Sequence, residues 1–208
     1  MKRKRIILLT GFEPFGGHSV NPSIQACRRI QDKRFSGYTV KVEEIPLRLG
    51  EIKGIIEGLI EKHAPSAVIC TGQGGGSWIN LERVAINIAD VSKSTYNCGA
   101  KPRDLILEVD GPAAYFTRLP IRNLLEKLRT GGVPCEISNS AGTFGCNQIF
   151  YHLLHYVERN NLDIQAGFIH VPMLPEQVVD KREPSMHLDL IHKALEIVLN
   201  ELTSSLNH

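Results

Sequence analysis

Short apolar runs alternate with segments of helical period along the chain, and this alternation constrains its fold more than any other feature. The runs at residues 5–10, 38–45, 67–71, 81–88, 105–109, 135–138 and 167–171 are the strand candidates. Strands that must be covered on both faces need helices on both faces, so the pattern predicts an α/β protein with a buried, largely parallel sheet. Asn21 is placed to cap a helix that starts at Pro22 and runs to about residue 32. A second helix is predicted over about 51–62, with Ile52, Ile55, Ile56, Leu59 and Ile60 on one side, and a third over about 121–128, after Pro120. The fourth begins near Cys146 and carries a broad apolar stripe of Ile149, Phe150, Leu153, Leu154 and Val157. The last starts near Ser185, a plausible cap, and continues through Leu188, Ile191, Leu195, Val198 and Leu202. No repeat, low-complexity stretch or linker interrupts the series, so residues 1–208 are expected to form a single domain.

Composition removes several classes of function. At 208 residues and 42% hydrophobic content the chain can bury one substantial core. A net charge of +2 and 6% aromatic residues give no electrostatic case for nucleic-acid binding. The basic start, Met1 to Arg5, runs into Ile6-Ile7-Leu8-Leu9, but the apolar run stops at Thr10-Gly11 and is too short for an export signal. It reads as a solvated strand end. No stretch is long enough to span a membrane, so a cytoplasmic protein without a membrane partner is expected.

Glycine and proline gather just after predicted strands, where open α/β sheets build their sites. Gly11 to Gly17 follow the first strand, Gly72-Gln73-Gly74-Gly75-Gly76 the third, and Asn139-Ser140-Ala141-Gly142 the sixth. Cys146 follows the last of these loops, at a predicted helix start, where unpaired N–H groups favour a thiolate. With five cysteines and no CxxC pair, a reactive thiol is a better prior than a disulfide framework. The competing reading is an inert, packed cysteine, which is how Cys27, Cys70 and Cys135 read; Cys98 falls in a loop.

A thiol nucleophile needs a base, and of eight histidines His170 is the best placed, at the end of the last predicted strand. His152 and His155 resemble a metal pair, yet they lie far along their helix and no carboxylate partner is evident, so no metal is expected. His18, His63, His187, His192 and His208 read as solvated side chains in loops or on helix surfaces. Glu82 stands inside an apolar, strand-like segment, where a carboxylate must be paired. Two readings stay open for it: a partner that orients a catalytic imidazole, or an ion pair with Arg83 or at the sheet edge. The 72–76 loop could instead offer N–H groups to a phosphate, but neither the P-loop Lys-Ser/Thr nor the GxGxxG spacing is present. There is no GxSxG elbow.

These residues, taken in order, resemble the pyroglutamyl peptidase I family of cysteine peptidases. The blocks that carry the resemblance are 9–17 with Asn21-Pro22-Ser23, Ile45-Pro46-Leu47, Glu82 to Asn87, Ser138 to Phe144 with Cys146-Asn147, and Phe168 to Pro172 with Leu174 to Gln177. The resemblance implies a three-layer α/β/α sandwich around a mixed, largely parallel sheet. It implies a Cys146–His170–Glu82 triad, no cofactor, a homotetramer, and small peptides with N-terminal pyroglutamate as substrates. It also implies a ring pocket walled by Phe12, Phe15 and Phe144, with the backbone of Gln73 meeting the lactam. For Phe12 and Phe15 the plain alternative is loop packing on the core.

Such a pocket is chemically sensible, because a pyroglutamyl group has no cationic amine and needs apolar walls with one acceptor and one donor. The expected reaction is hydrolysis through a thioester acyl-enzyme. Two positions depart from the family pattern: Asn80 replaces a usual Ser or Thr, and Ser92 stands where some members have arginine. They leave room for a non-catalytic pyroglutamyl-peptide binder, and the glycine-rich loops leave room for a phosphate- or nucleotide-binding transferase. The polar stretch 92–104 reads as a mobile flap or a contact loop.

Overall fold

A computed structural model describes residues 5–91 and 94–207. Its main sheet has seven strands in the order β2-β3-β1-β4-β9-β5-β8. These are β1 (Ile6–Phe12), β2 (Arg34–Phe35), β3 (Tyr38–Ile45), β4 (Ala67–Gln73), β5 (Ile79–Glu82), β8 (Cys135–Ser138) and β9 (Gln165–Val171). The four central strands β3, β1, β4 and β9 run parallel, while β5 is antiparallel to β9 and parallel to β8. A second, two-stranded antiparallel sheet pairs β6 (Val84–Ile86) with β7 (Ala114–Phe116).

The period-two alternation of the central strands decides the layering. Ile7 and Leu9, Ala67 and Ile69, and Ile169 and Val171 point into one core, together with helices α1 (Pro22–Arg28), α3 (Ile121–Thr130) and α5 (Leu188–Ser205). Leu8, Val68, Cys70, Ala166 and Phe168 point into the other, against α2 (Ile52–His63) and α4 (Gly145–Arg159). The result is the three-layer α/β/α arrangement. Asn21 caps α1 by accepting the Ser23 N–H at 3.0 Å, and Pro22 occupies the first helical position.

Several elements differ from the sequence expectation. The 81–88 run breaks at Arg83, whose N–H is turned to Ser138 O while its carbonyl accepts from Thr117, so Glu82 ends one sheet and Val84 begins the other. The 105–109 run is not a strand: only an isolated bridge joins Leu105 to Ala89, and Ile106 and Val109 are exposed. β2 and β7, with two and three residues, are too short to leave a periodic signal. Helix α1 stops at Arg28, and α5 is capped by His187, whose Nδ1 accepts from the Asp189 N–H, rather than by Ser185. Residues 1–4, Ser92, Lys93 and His208 lie outside the described residues, and with them most of the basic N-terminal cluster and one of the two departures from the family pattern.

Candidate active site

The chain brings three elements to one rim of the main sheet. β9 and β5 run antiparallel with Asn80 opposite His170, so Glu82, two residues further along, projects from the same face as His170 and diagonal to it. The Glu82 carboxylate is 1% exposed, and its Oε1 lies 2.7 Å from His170 Nδ1. The carboxylate is thus paired with an imidazole and not with Arg83, which turns to Asn139, its Nε donating to Asn139 Oδ1 at 2.8 Å. The second carboxylate oxygen, Oε2, is buried without a partner.

Cys146 is the second residue of α4 and is 8% exposed. The helix start has no side-chain cap and no acidic residue in its first turn, so its N–H groups remain available to an anion. Burial alone would lower the His170 pKa. The charge interaction with Cys146 and its hydrogen bond to the imidazole, with Glu82 behind, outweigh burial and push His170 up to about 10. The sulfur rests on the backbone of β4. A Cβ added at Gly72 would lie 2.6 Å from Cys146 Sγ and 2.8 Å from Phe168 Cζ, and one at Gly74 would lie 3.1 Å from His170 Cβ. Gly72, near the end of β4, and Gly74, just past it, form the floor under the Cys146 sulfur and the imidazole.

The remaining expected residues divide. Phe15 and Phe144 meet edge to face with centroids 6.0 Å apart. Gln73 ends β4, its side-chain oxygen accepting from Gln177 Nε2 at 2.9 Å. Phe12 is 1% exposed and lies in the core close to Gly145 at the start of α4. His152 and His155 do have a carboxylate: His152 Nδ1 lies 3.0 Å from Glu108 Oε1, and His155 Nε2 lies 3.9 Å from Glu108 Oε2. Lys53 Nζ contacts the same carboxylate at 2.6 Å, so an ammonium ion already occupies its surroundings. Among the described residues no group of three or more His, Cys, Asp or Glu side chains is disposed to hold a metal ion. Two of the histidines read as solvated are covered instead: His63 pairs with Glu43 at 2.7 Å, and His192 with Glu196 at 3.3 Å.

Sequence reasoning overlooked three supports. Asn147, fully buried, accepts from Ile86 N and donates to the carbonyls of Ile86 and Ile88, clamping the segment after Glu82 to the start of α4. Glu13 accepts from Leu47 N and from Asn97 Nδ2, both at 2.8 Å, fixing the first loop against the 94–97 segment. Tyr96, 1% exposed, packs its ring 4.6 Å from that of Phe144. A lone aromatic residue in an otherwise polar stretch was the available signal for it.

Residues 5–204 match the family model described as pyroglutamyl peptidase. The pyrrolidone-carboxylate peptidase of Bacillus licheniformis is 46% identical over 192 residues, covering 92% of this chain and 89% of the relative. The solved pyroglutamyl peptidase I of Bacillus amyloliquefaciens superposes with a TM-score of 0.92 at 39% identity, over 97% of this chain and 98% of the other. The pyrrolidone carboxyl peptidase of Thermococcus litoralis gives 0.93 at 36% identity, over 97% and 94%. Matching sequence over nearly the whole length, on a fold that places a cysteine, a histidine and a glutamate at one sheet rim, shows that the chain belongs to the pyroglutamyl peptidase family.

Proposed function

We propose that the chain hydrolyses the amide bond after an N-terminal pyroglutamyl residue, with Cys146 as nucleophile, His170 as acid and base, and Glu82 as the group that orients His170. The observation that carries this reading is the buried line of contacts from Glu82 Oε1 through the imidazole of His170 to the sulfur of Cys146. With its pKa pushed up to about 10, His170 holds a proton at neutral pH while Cys146 supplies the electron pair. The sulfur adds to the pyroglutamyl carbonyl, and the uncapped start of α4 faces the oxyanion with its N–H groups, that of Cys146 first. His170 delivers its proton to the departing amine, leaving a thioester. Water then gives a proton to His170 and attacks the thioester, releasing pyroglutamate and the thiolate.

Phe15, Phe144 and the backbone of Gln73 are proposed to hold the ring, with Phe12 supporting them from below. We assign the whole chain to a single catalytic domain working in the cytoplasm as a homotetramer. Five unpaired cysteines support a reducing compartment. Exposed Ile106, Val109 and Phe116 support association. Light scattering at the mass of a monomer would remove the tetramer. Among the described residues no helix is long and apolar enough to cross a membrane.

The test compares turnover of pyroglutamyl- and alanyl-coupled fluorogenic substrates before and after alkylation with iodoacetamide. Turnover of the pyroglutamyl substrate alone, abolished by alkylation and absent in Cys146→Ala, is the expected result. Saturable binding of pyroglutamyl peptides without turnover would instead identify a binding protein.

A further inference from the structure

Three aromatic rings meet beside the nucleophile, and only one of them carries a polar atom. Tyr96 packs edge to face on Phe144, which in turn packs on Phe15. With Phe15, Gln73 and Asn97, Tyr96 lines a cavity of about 550 Å3. The backbone holds the tyrosine firmly: Tyr96 N–H donates to Ala100 O, Asn97 N–H donates to Leu47 O, and Asn97 Nδ2 donates to Glu13 Oε1 and Pro14 O. Yet the Tyr96 hydroxyl is buried and has no hydrogen-bond partner. Burial, and then the nearby sulfur of Cys146, hold its pKa above the usual phenol range, so the group is a neutral donor within electrostatic reach of the nucleophile. A sealed donor without an acceptor is costly, and a residue so firmly placed has its acceptor elsewhere.

We propose that the Tyr96 hydroxyl is a substrate-binding donor to the lactam carbonyl of the pyroglutamyl ring, and that it favours this ring over one lacking the carbonyl. The assignment rests on the proposed function. A lactam carbonyl has two lone pairs, so beside the backbone of Gln73 it can take a second donor, and neither Phe15 nor Phe144 has one to offer. A ring slotted between two aromatic faces needs about 7 Å, two contacts of about 3.5 Å each. Phe15 and Phe144 stand 6.0 Å apart at 65° to one another, so they part as the substrate ring enters. Tyr96 packs on Phe144 with ring centroids 4.6 Å apart, so a shift of Phe144 reaches the tyrosine ring.

Tyr96→Phe removes one oxygen and keeps the ring packing. The dissociation constant of 2-pyrrolidone, a free lactam ring, is measured by calorimetry for both proteins, alongside KM and kcat on the pyroglutamyl substrate. The expected result is a rise of about 10- to 100-fold in the 2-pyrrolidone dissociation constant and in KM. The rate of Cys146 alkylation should not change, and the melting temperature should stay the same or rise, because an unpartnered buried hydroxyl has been removed. Unchanged KM and lactam affinity would overturn the assignment, as would a fall in kcat alone, which would place the hydroxyl at the oxyanion. If the unmodified protein neither binds 2-pyrrolidone nor turns over the substrate, the proposed function itself falls.

Discussion

Two pairs of imidazole and carboxylate, each with one partner buried and the other partly so, border helix α4, and they behave in opposite ways. At the start of the helix, His170 faces Glu82 at 2.7 Å; further along, His152 faces Glu108 at 3.0 Å. Burial works against the charged imidazole in both. At the first, the sulfur of Cys146 joins the carboxylate as a partner of the imidazole, which is pushed up to about 10. At the second, burial dominates and the ammonium of Lys53 adds to it against the pull of Glu108, so His152 is driven down to about 4. The third partner thus decides whether such a pair stores a proton for chemistry or acts as a neutral cross-link within the fold. A histidine beside a glutamate is not by itself a catalytic sign.

The largest way to break the contrast is to move the sulfur. Gly72→Ala places a methyl group 2.6 Å from Cys146 Sγ, so the thiol or the strand must shift. We expect kcat/KM to fall by about 100-fold or more, since a displacement on the order of 1 Å at the reacting atoms costs that much. Unchanged kinetics would show that the sulfur does not rest on β4. Glu82→Gln removes the carboxylate behind His170 while keeping its size. The rate should drop by roughly 10- to 100-fold with the circular dichroism spectrum preserved, and His170 should titrate lower by nuclear magnetic resonance. An unaffected rate would remove Glu82 from the mechanism.

The second pair sharpens the comparison through stability against pH. Between about pH 6.5 and 4 the unfolded chain protonates His152 while the folded chain does not, so stability falls as the pH is lowered through this window. Glu108, held below the usual carboxylate range despite burial by Lys53 and the two histidines, adds a further loss below its unfolded pKa. For His170 the sign is reversed: its contribution is complete below about pH 6.5 and is lost as the pH rises through about 10. Replacing His152 by Gln should flatten the acid limb, by about 1–3 kcal/mol, in urea titrations across pH 4 to 7 and leave turnover at neutral pH unchanged. An acid limb of the same slope in the variant would show that His152 does not set it.

The sheet and the placing of Cys146 at a helix start were readable in the sequence for identifiable reasons. Strands such as Ile6–Phe12 and Tyr38–Ile45 and the helix behind Cys146 are long or apolar enough for their periodicity to show. The break at Arg83 was hidden, because the pattern of side chains continues while the backbone changes sheets. The 105–109 run looked like a strand by composition, yet its exposed Ile106 and Val109 give it no core to enter. Glu108 lies in that same run. Its pairing with residues more than forty positions away, His152 and His155, is a product of tertiary packing that no local spacing reveals. Tyr96 was hidden for a similar reason, since it is buried against Phe144, a residue distant in the chain.

The central claim, that Cys146 carries the pyroglutamyl group, is tested most directly by acid-quenching the protein during turnover and mapping the trapped thioester by mass spectrometry. The account predicts a pyroglutamyl adduct on the peptide that contains Cys146, absent from Cys146→Ala and absent with an alanyl substrate. An adduct on another residue, or full turnover by Cys146→Ala, would contradict it.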